Sequence, residues 1–437
     1  MGLVEKLEKW IHAYDQNGYL NGSILVASKG NILLNKGFGM ANFEHQIPNH
    51  PKTKFRIGSL TKAFTALSIF QLQEQQKLHI DDYINKYLPD YPKGDQITIY
   101  HCLTCTAGIP NYTSFPDFWF QTMRLPSTLE QLIDSFKDLE LEFDPGSAFE
   151  YSSSGYALLT AIIEKVSGLT YAEYIQEYIC QPLGMVNTGC DDGVKIVPNL
   201  ASGYSFWEKP IHSAYADMSF PLGGYGLYST TEDLLLWDQA LGSPSLLSTD
   251  SMKKMFRPYL DSYACGWMVS NILDRRCIHH FGDISGYFSD FLRFVDEEVT
   301  IIFLSNMNVT PVTHLTKEMA RIVFGEEVDY PVPALPIQLQ ESDRLAGQYA
   351  LTANKTLEIS VDDGDLYVTV PKMYGVPYKF KLVPIRQESN QITFVTEMIH
   401  ETVTIHLSDL GQVDSITYTD FYGETICGEK ISSLTPY

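Results

Sequence analysis

The sequence predicts a mixed α/β protein, of the α+β kind, followed by a small all-β domain. Three observations carry this. Apolar residues recur at helical spacing directly after Ser59, strand signals sit at both ends of the first 325 or so residues with helical patterns between them, and short alternating strands crowd the tail. At 437 residues the chain is too long for one ordinary core, so two domains are expected. Hydrophobic residues make up 44% and charged residues 19%, enough to bury a core and without the signature of disorder. Against 31 Lys and Arg stand 53 Asp and Glu, a net charge of −22 that repels phosphate backbones and anionic lipid. Nucleic acid is thereby excluded as a partner, and no apolar run is long enough for a membrane span.

Residues 1–14 read as an amphipathic helix with Leu3, Val4, Leu7, Trp10 and Ile11 on one side. They lack the basic start, unbroken apolar stretch and small-residue cleavage site of a secretory signal. A cytoplasmic protein is expected, unless an export segment has been removed. Residues 22–39 read as a hairpin about the turn Lys29-Gly30-Asn31. From 59 to about 77, Leu60, Ala63, Phe64, Leu67, Phe70 and Leu72 keep helical spacing with no Pro or Gly between them. The stretch 80–260 alternates helical patterns, such as 156–166, with Pro- and Gly-rich loops. Strands are expected at 288–295 and 299–304, and a last helix at 311–324.

The segment 325–343 carries Pro331, Pro333 and Pro336 and reads as a linker, giving domains at 1–335 and 336–437. Beyond it, 357–361, 366–370, 392–395, 403–407 and 413–418 alternate like the strands of a small sandwich or barrel. Seven scattered cysteines fit reduced thiols, and Cys102-Leu103-Thr104-Cys105 is a lone pair without the second that a metal site needs. No metal and no cofactor is expected.

Gly58-Ser59-Leu60-Thr61-Lys62 places a serine at a helix start and a lysine three residues on, on the same side. A serine hydroxyl needs a neighbouring base, and a lysine serves if burial lowers its pKa. Alone the motif is weak, because Ser251-Met252-Lys253-Lys254 fits it as well. Two further elements follow in order: Tyr151-Ser152-Ser153 after the turn Asp144-Pro145-Gly146, and His280-Phe281-Gly282 before Asp283-Ile284-Ser285-Gly286-Tyr287.

With these residues the sequence resembles the class C β-lactamase and penicillin-binding family, which also holds D-alanyl-D-alanine carboxypeptidases, D-aminopeptidases and esterases. Its members carry Ser-x-x-Lys, then Tyr-x-Asn, then Lys-Thr-Gly or His-x-Gly. Residues 97–112 look like the family's loop ending in Gly-Ile-Pro, here Gly108-Ile109-Pro110, and 223–236 like its Gly-Gly-rich segment. The resemblance spans about 20–310, and the tail from about Leu345 looks like the lipocalin-like barrel appended to some members. It implies a β-lactamase/transpeptidase-like antiparallel sheet flanked by helices, with a helical subdomain.

The resemblance also implies roles. Ser59 attacks a carbonyl and is acylated, Lys62 and Tyr151 share general-base duty, and the backbone N–H groups of Ser59 and Asp283 form the oxyanion hole. A Tyr151 phenolate would require Lys62 and a protonated His280 to lower its pKa. His280 stands where many relatives have lysine and would bind a substrate carboxylate or hydrogen-bond Tyr151. Ser153 and Gly282 are substrate-binding positions. Two residues depart from the pattern: Ser153 replaces the usual Asn, which contacts the acyl amide of peptide and β-lactam substrates, and Cys105 replaces a usual His. The expected function is that of a metal-independent serine hydrolase acting through an acyl-enzyme on small esters, D-amino acid peptides or amides, or β-lactams. The rival is a non-catalytic penicillin-binding or scaffold protein that kept the fold. The partner is a small-molecule or peptide substrate, and the sequence sets no oligomeric state.

Overall fold

The structure, a computed structural model, describes residues 2–332, 342–352, 355–371 and 377–432. The chain forms two compact units, one of Gly22–Ser202 with Ala214–Asn306 and one of Met1–Asn21, Gly203–Ser213 and Met307–Tyr437. Helix α1 (Leu3–Gln16) belongs to the second and is taken up with it.

The first unit is built on a six-stranded antiparallel sheet. Its strands are β1 (Gly22–Ser28), β2 (Asn31–Phe38), β3 (Met268–Ile272), β4 (Arg275–Ile284), β5 (Tyr287–Phe294) and β6 (Val299–Ser305), ordered β3-β4-β5-β6-β1-β2. Distant segments meet where Leu25 on β1 pairs with Ile302 on β6. The hairpin turn is at Lys29 and Gly30, both at positive φ (49° and 75°), the backbone that tight two-residue turns require. Helix α2 (Thr61–Glu74) is buried on every side from Thr61 to Leu72, which makes it the central post of the unit and explains its lack of a polar face. Around it pack α3 (Ser153–Ser167) and α4 (Thr231–Leu241), and Trp237 of α4 stacks on Phe64 at 3.9 Å between ring centroids.

In the second unit, α1 packs on α5 (Val312–Val323), and Trp10 donates its indole N–H to the Asp329 carbonyl at 2.9 Å. Eight antiparallel strands close into a barrel: β7 (Gly347–Thr352), β8 (Lys355–Asp362), β9 (Asp365–Pro371), β10 (Pro377–Gln387), β11 (Gln391–Thr396), β12 (Thr402–Leu407), β13 (Val413–Thr419) and β14 (Thr425–Ser432). Closure comes from β9 pairing β10, with Val368 opposite Phe380. Leu357, Ile359, Phe394, Ile405 and Ile416 are fully buried, the alternation that a filled barrel demands. A hairpin of Tyr204–Trp207 and Lys209–His212 adds to β10 in parallel at Trp207 and Lys379. Of the linker prolines, Pro331 is described, while Pro333 and Pro336 lie outside the described residues. Among the described residues no helix is long and apolar enough to cross a membrane.

Candidate active site

Ser59 sits in a single 3₁₀ turn, Gly58–Leu60, that runs straight into α2. The turn is held from both sides: Ile57 N–H donates to the Leu227 carbonyl at 2.9 Å, and Ser289 Oγ donates to the Ile57 carbonyl at 2.8 Å. Three residues on, Lys62 turns its side chain back along the helix and is 0% exposed. Its Nζ lies 3.1 Å from Ser59 Oγ, 3.2 Å from Ser153 Oγ and 3.0 Å from the Gly224 carbonyl. Burial lowers the ammonium to about 7, and the opposing effect of Cys105 is smaller. A neutral amine has two N–H donors and one lone pair. Given to Gly224 O and Ser153 Oγ, the two donors leave the lone pair to face the Ser59 hydroxyl, so this arrangement can accept the serine proton.

Serines 152 to 154 divide their hydroxyls by position. Ser152 Oγ donates to the Ile109 carbonyl and caps α3, and Ser154 Oγ donates to the Pro110 carbonyl and accepts from Tyr112 N–H. Both tie the Gly108-Ile109-Pro110 loop to the helix start. Ser153, 3% exposed, is left for Lys62, and its own N–H donates to Asn111 Oδ1 at 3.0 Å. Its hydroxyl accepts from Lys62 Nζ.

Tyr151 precedes this cluster. Burial raises its phenol above the ordinary value, offset only in part by its contact with Ser59, so the tyrosine is protonated at neutral pH. The second cation that a phenolate would need is missing too. His280 is 0% exposed and burial, then Lys62, pushes it down to about 3. Its Nδ1 lies 2.6 Å from the Phe281 carbonyl, which can only accept, so Nδ1 carries the proton and Nε2 accepts from the Tyr263 hydroxyl at 3.3 Å. Both ring nitrogens are thus engaged inside the protein. Tyr263 packs edge-on against Tyr151 at 5.8 Å, and the His280 ring also lies against Tyr151, 6.3 Å between centroids.

The last part of the site comes from strand β4. Its pairing with β3 runs only to His279, opposite Met268. Past that point the Gly58–Leu60 turn lies along the strand, and the approach is close enough to require two glycines. A methyl group on Gly282 would fall 1.9 Å from the Ile57 carbonyl oxygen, and one on Gly58, at φ +53°, 2.5 Å from Asp283 N. Ser59, Lys62, Tyr151, Ser153, His280, Gly282 and Asp283 are therefore gathered at one place. Sequence reasoning missed Ser289, Tyr263 and the Gly224 carbonyl. Only Gly224 had a signal, in the Gly223-Gly224 pair.

The rival Ser251 is not built this way. It lies in the helix Thr249–Met255, where its N–H donates to the cap residue Ser248 and its hydroxyl is held between Ser248 Oγ and the Glu74 carboxylate. Cys102 and Cys105 are buried free thiols, and Cys105 takes an unusual φ of +55°. Among the described residues no group of three or more His, Cys, Asp or Glu side chains could hold a metal ion.

Penicillin-binding protein 4* of Bacillus subtilis (strain 168) is 28% identical over 382 residues, 80% of this chain and 84% of that protein. The octameric penicillin-binding protein homologue from Pyrococcus abyssi superposes with a TM-score of 0.68 at 25% identity, covering 98% of this chain and all of that one. The penicillin binding protein from Bacillus halodurans gives 0.61 at 27% identity, over 70% of this chain and 95% of that one. A family model described as Beta-lactamase matches residues 7–324, and the chain belongs to that family of serine hydrolases related to the penicillin-binding proteins.

Proposed function

We propose that the chain is an acyl-enzyme hydrolase acting on small esters, amides and peptides of D-amino acids, or β-lactams, with small esters preferred. The observation that carries this is Lys62, wholly buried and 3.1 Å from the Ser59 hydroxyl. Ser59 attacks the carbonyl as its proton passes to neutral Lys62. The backbone N–H groups of Ser59 and Asp283 face the oxygen that becomes negative. The leaving group takes its proton from Tyr151 and Tyr151 takes the serine's proton from Lys62, so that the phenol is restored, the amine is neutral again, and Lys62 rather than Tyr151 is the base. Water then attacks the acyl-enzyme, its proton passing to Lys62 and on to the Ser59 oxygen as the acyl group leaves. His280 is assigned a positioning role, against the Tyr151 ring and through its hydrogen bond with Tyr263.

The ester preference rests on Ser153. Its side chain has no amide to meet an acyl amide, and its hydroxyl is engaged by Lys62. The test is intact mass spectrometry of the full chain with a serine-reactive phosphonate, a penicillin and a panel of short esters. A single adduct on Ser59, absent in Ser59→Ala and retained in Ser251→Ala, with turnover of the esters, is the expected result. A phosphonate adduct without turnover of any substrate favours the non-catalytic scaffold, and an adduct on Ser251 removes the site.

A further inference from the structure

The face of β4 that carries His280 continues away from the candidate active site. Ile278 and Arg276 precede His280 by two and four residues and share its side of the strand, and Ile278 lies opposite Arg293 on β5. Together with the end of α4 and the helix Thr249–Met255 they line a cavity of about 280 Å³ that is open to solvent. Leu241, Phe256 and Ile278 give it apolar walls, and Lys253, Arg276 and Arg293 give it cationic ones.

Charge sets this place apart. The chain carries 53 acidic residues against 31 basic ones, yet none of the described residues lining the cavity is acidic. Arg293 is fixed from behind, its Nε on Asp238 Oδ1 at 2.7 Å, while Asp238 also accepts from Thr300. Gly242 leaves room for it, since a methyl group there would lie 3.3 Å from Arg293 Nη2. Lys253 and Arg276 are exposed and have no ion-pair partner among the described residues. Lys253 is accounted for in part by its place in the last turn of its helix, where the dipole favours a cation. Arg276 is on a strand and has no such reason to be there.

We propose that this cavity binds a small organic anion with an apolar body, such as a medium-chain or aryl carboxylate. The anionic end lies between Lys253 and Arg276, and the body rests on Leu241, Phe256 and Ile278. Two charge-assisted hydrogen bonds fix the end, and contact of the body with the small accessible part of Leu241, Phe256 and Ile278 adds a lesser share. The size is at the lower limit for small-molecule sites, which favours a ligand of one short chain or one ring. Binding here does not depend on acylation of Ser59.

The test is calorimetric titration of the full chain with octanoate, octylammonium and inorganic sulfate. Octanoate should bind at one saturable site, more tightly than sulfate, and octylammonium should not bind. Lys253→Glu combined with Arg276→Glu should weaken octanoate about tenfold or more. Lys253→Gln with Arg276→Gln should weaken it by less, and Ser59→Ala should leave it unchanged. Both cations are exposed, so an unaltered thermal midpoint checks that the variants fold. The site is overturned if octanoate fails to bind, if sulfate or octylammonium matches it, if the charge-reversed variant binds as tightly as the parent, or if Ser59→Ala abolishes binding.

Discussion

Lys62 Nζ stands 3.1 Å from Ser59 Oγ, at the bottom of a setting that leaves none of the lysine exposed. Because burial brings the ammonium to about 7, the proton balance of this one amine governs the proposed reaction. Below that value the lysine holds a proton and cannot take another. The ratio kcat/KM for a short ester should therefore fall about tenfold per pH unit on the acid side and level off above about 7. A pH–rate profile checks it, and a flat profile would remove Lys62 as the base. Stability follows the same group: unfolded, the lysine keeps its proton to about its usual 10.5, so folding gains as pH rises from about 7 toward that value.

His280 makes a contrasting case. At about 3 it stays neutral across the working range, with both nitrogens occupied by Tyr263 and Phe281. His280→Gln should lower kcat/KM by no more than about tenfold and leave the inflection near 7 where it was. If the inflection vanishes in the variant, the histidine is the titrating group.

Gly282 tests the approach of strand and turn. Gly282→Ala forces a methyl group against the Ile57 carbonyl and the Ser289 hydroxyl, at 1.9 and 2.6 Å. The strand must retreat from the nucleophile, and the acylation rate should drop about a hundredfold or more, as when an oxyanion donor is lost. Stopped-flow acylation and circular dichroism, measured together, separate this from unfolding. An acylation rate close to the parent's would mean that Asp283 N–H has no part in the site.

Ser153→Asn tests the substrate preference. An asparagine reaches farther than the hydroxyl and offers both a donor and an acceptor. The kcat/KM of a D-alanyl peptide or penicillin, divided by that of a short ester, should rise by up to about tenfold, the worth of one hydrogen bond. Using the ratio cancels any change in Lys62, which serves both substrates. A ratio that is unchanged or moves toward the ester takes away the reason for preferring esters.

Much of this architecture is legible from local pattern. The Lys29-Gly30 turn, the helix after Ser59, the strands about residue 290 and the alternating strands of the barrel all announce themselves through spacing alone. Ser59 and Lys62 are legible for the same reason, being neighbours in sequence and on one helix face. What escapes is whatever depends on a partner far along the chain. Tyr263 is one of 27 tyrosines and gains its meaning only from His280 beside it. The hydrogen bond of Ser153 to Lys62 joins residues 91 positions apart and appears only when α3 is packed against α2. The strand β10 is masked by Pro377 at its start and Pro384 within it, although between them Tyr378, Phe380 and Leu382 are buried in alternation with Lys379 and Lys381. The grouping of Met1–Asn21 and Gly203–Ser213 with the barrel joins segments that no local window spans.

The close passage of Gly58 and Gly282 also bears on when the site comes into being. Ser59 and Lys62 are brought together by one helical turn, an event of microseconds or less. The second backbone donor arrives only when β4 docks along that turn, after a loop of more than half the chain has closed. A growing chain therefore carries its serine and lysine long before it holds the strand that completes them. In refolding, helical signal should return first and reactivity toward the phosphonate last, so the delay between the two is a clock for the final docking of β4.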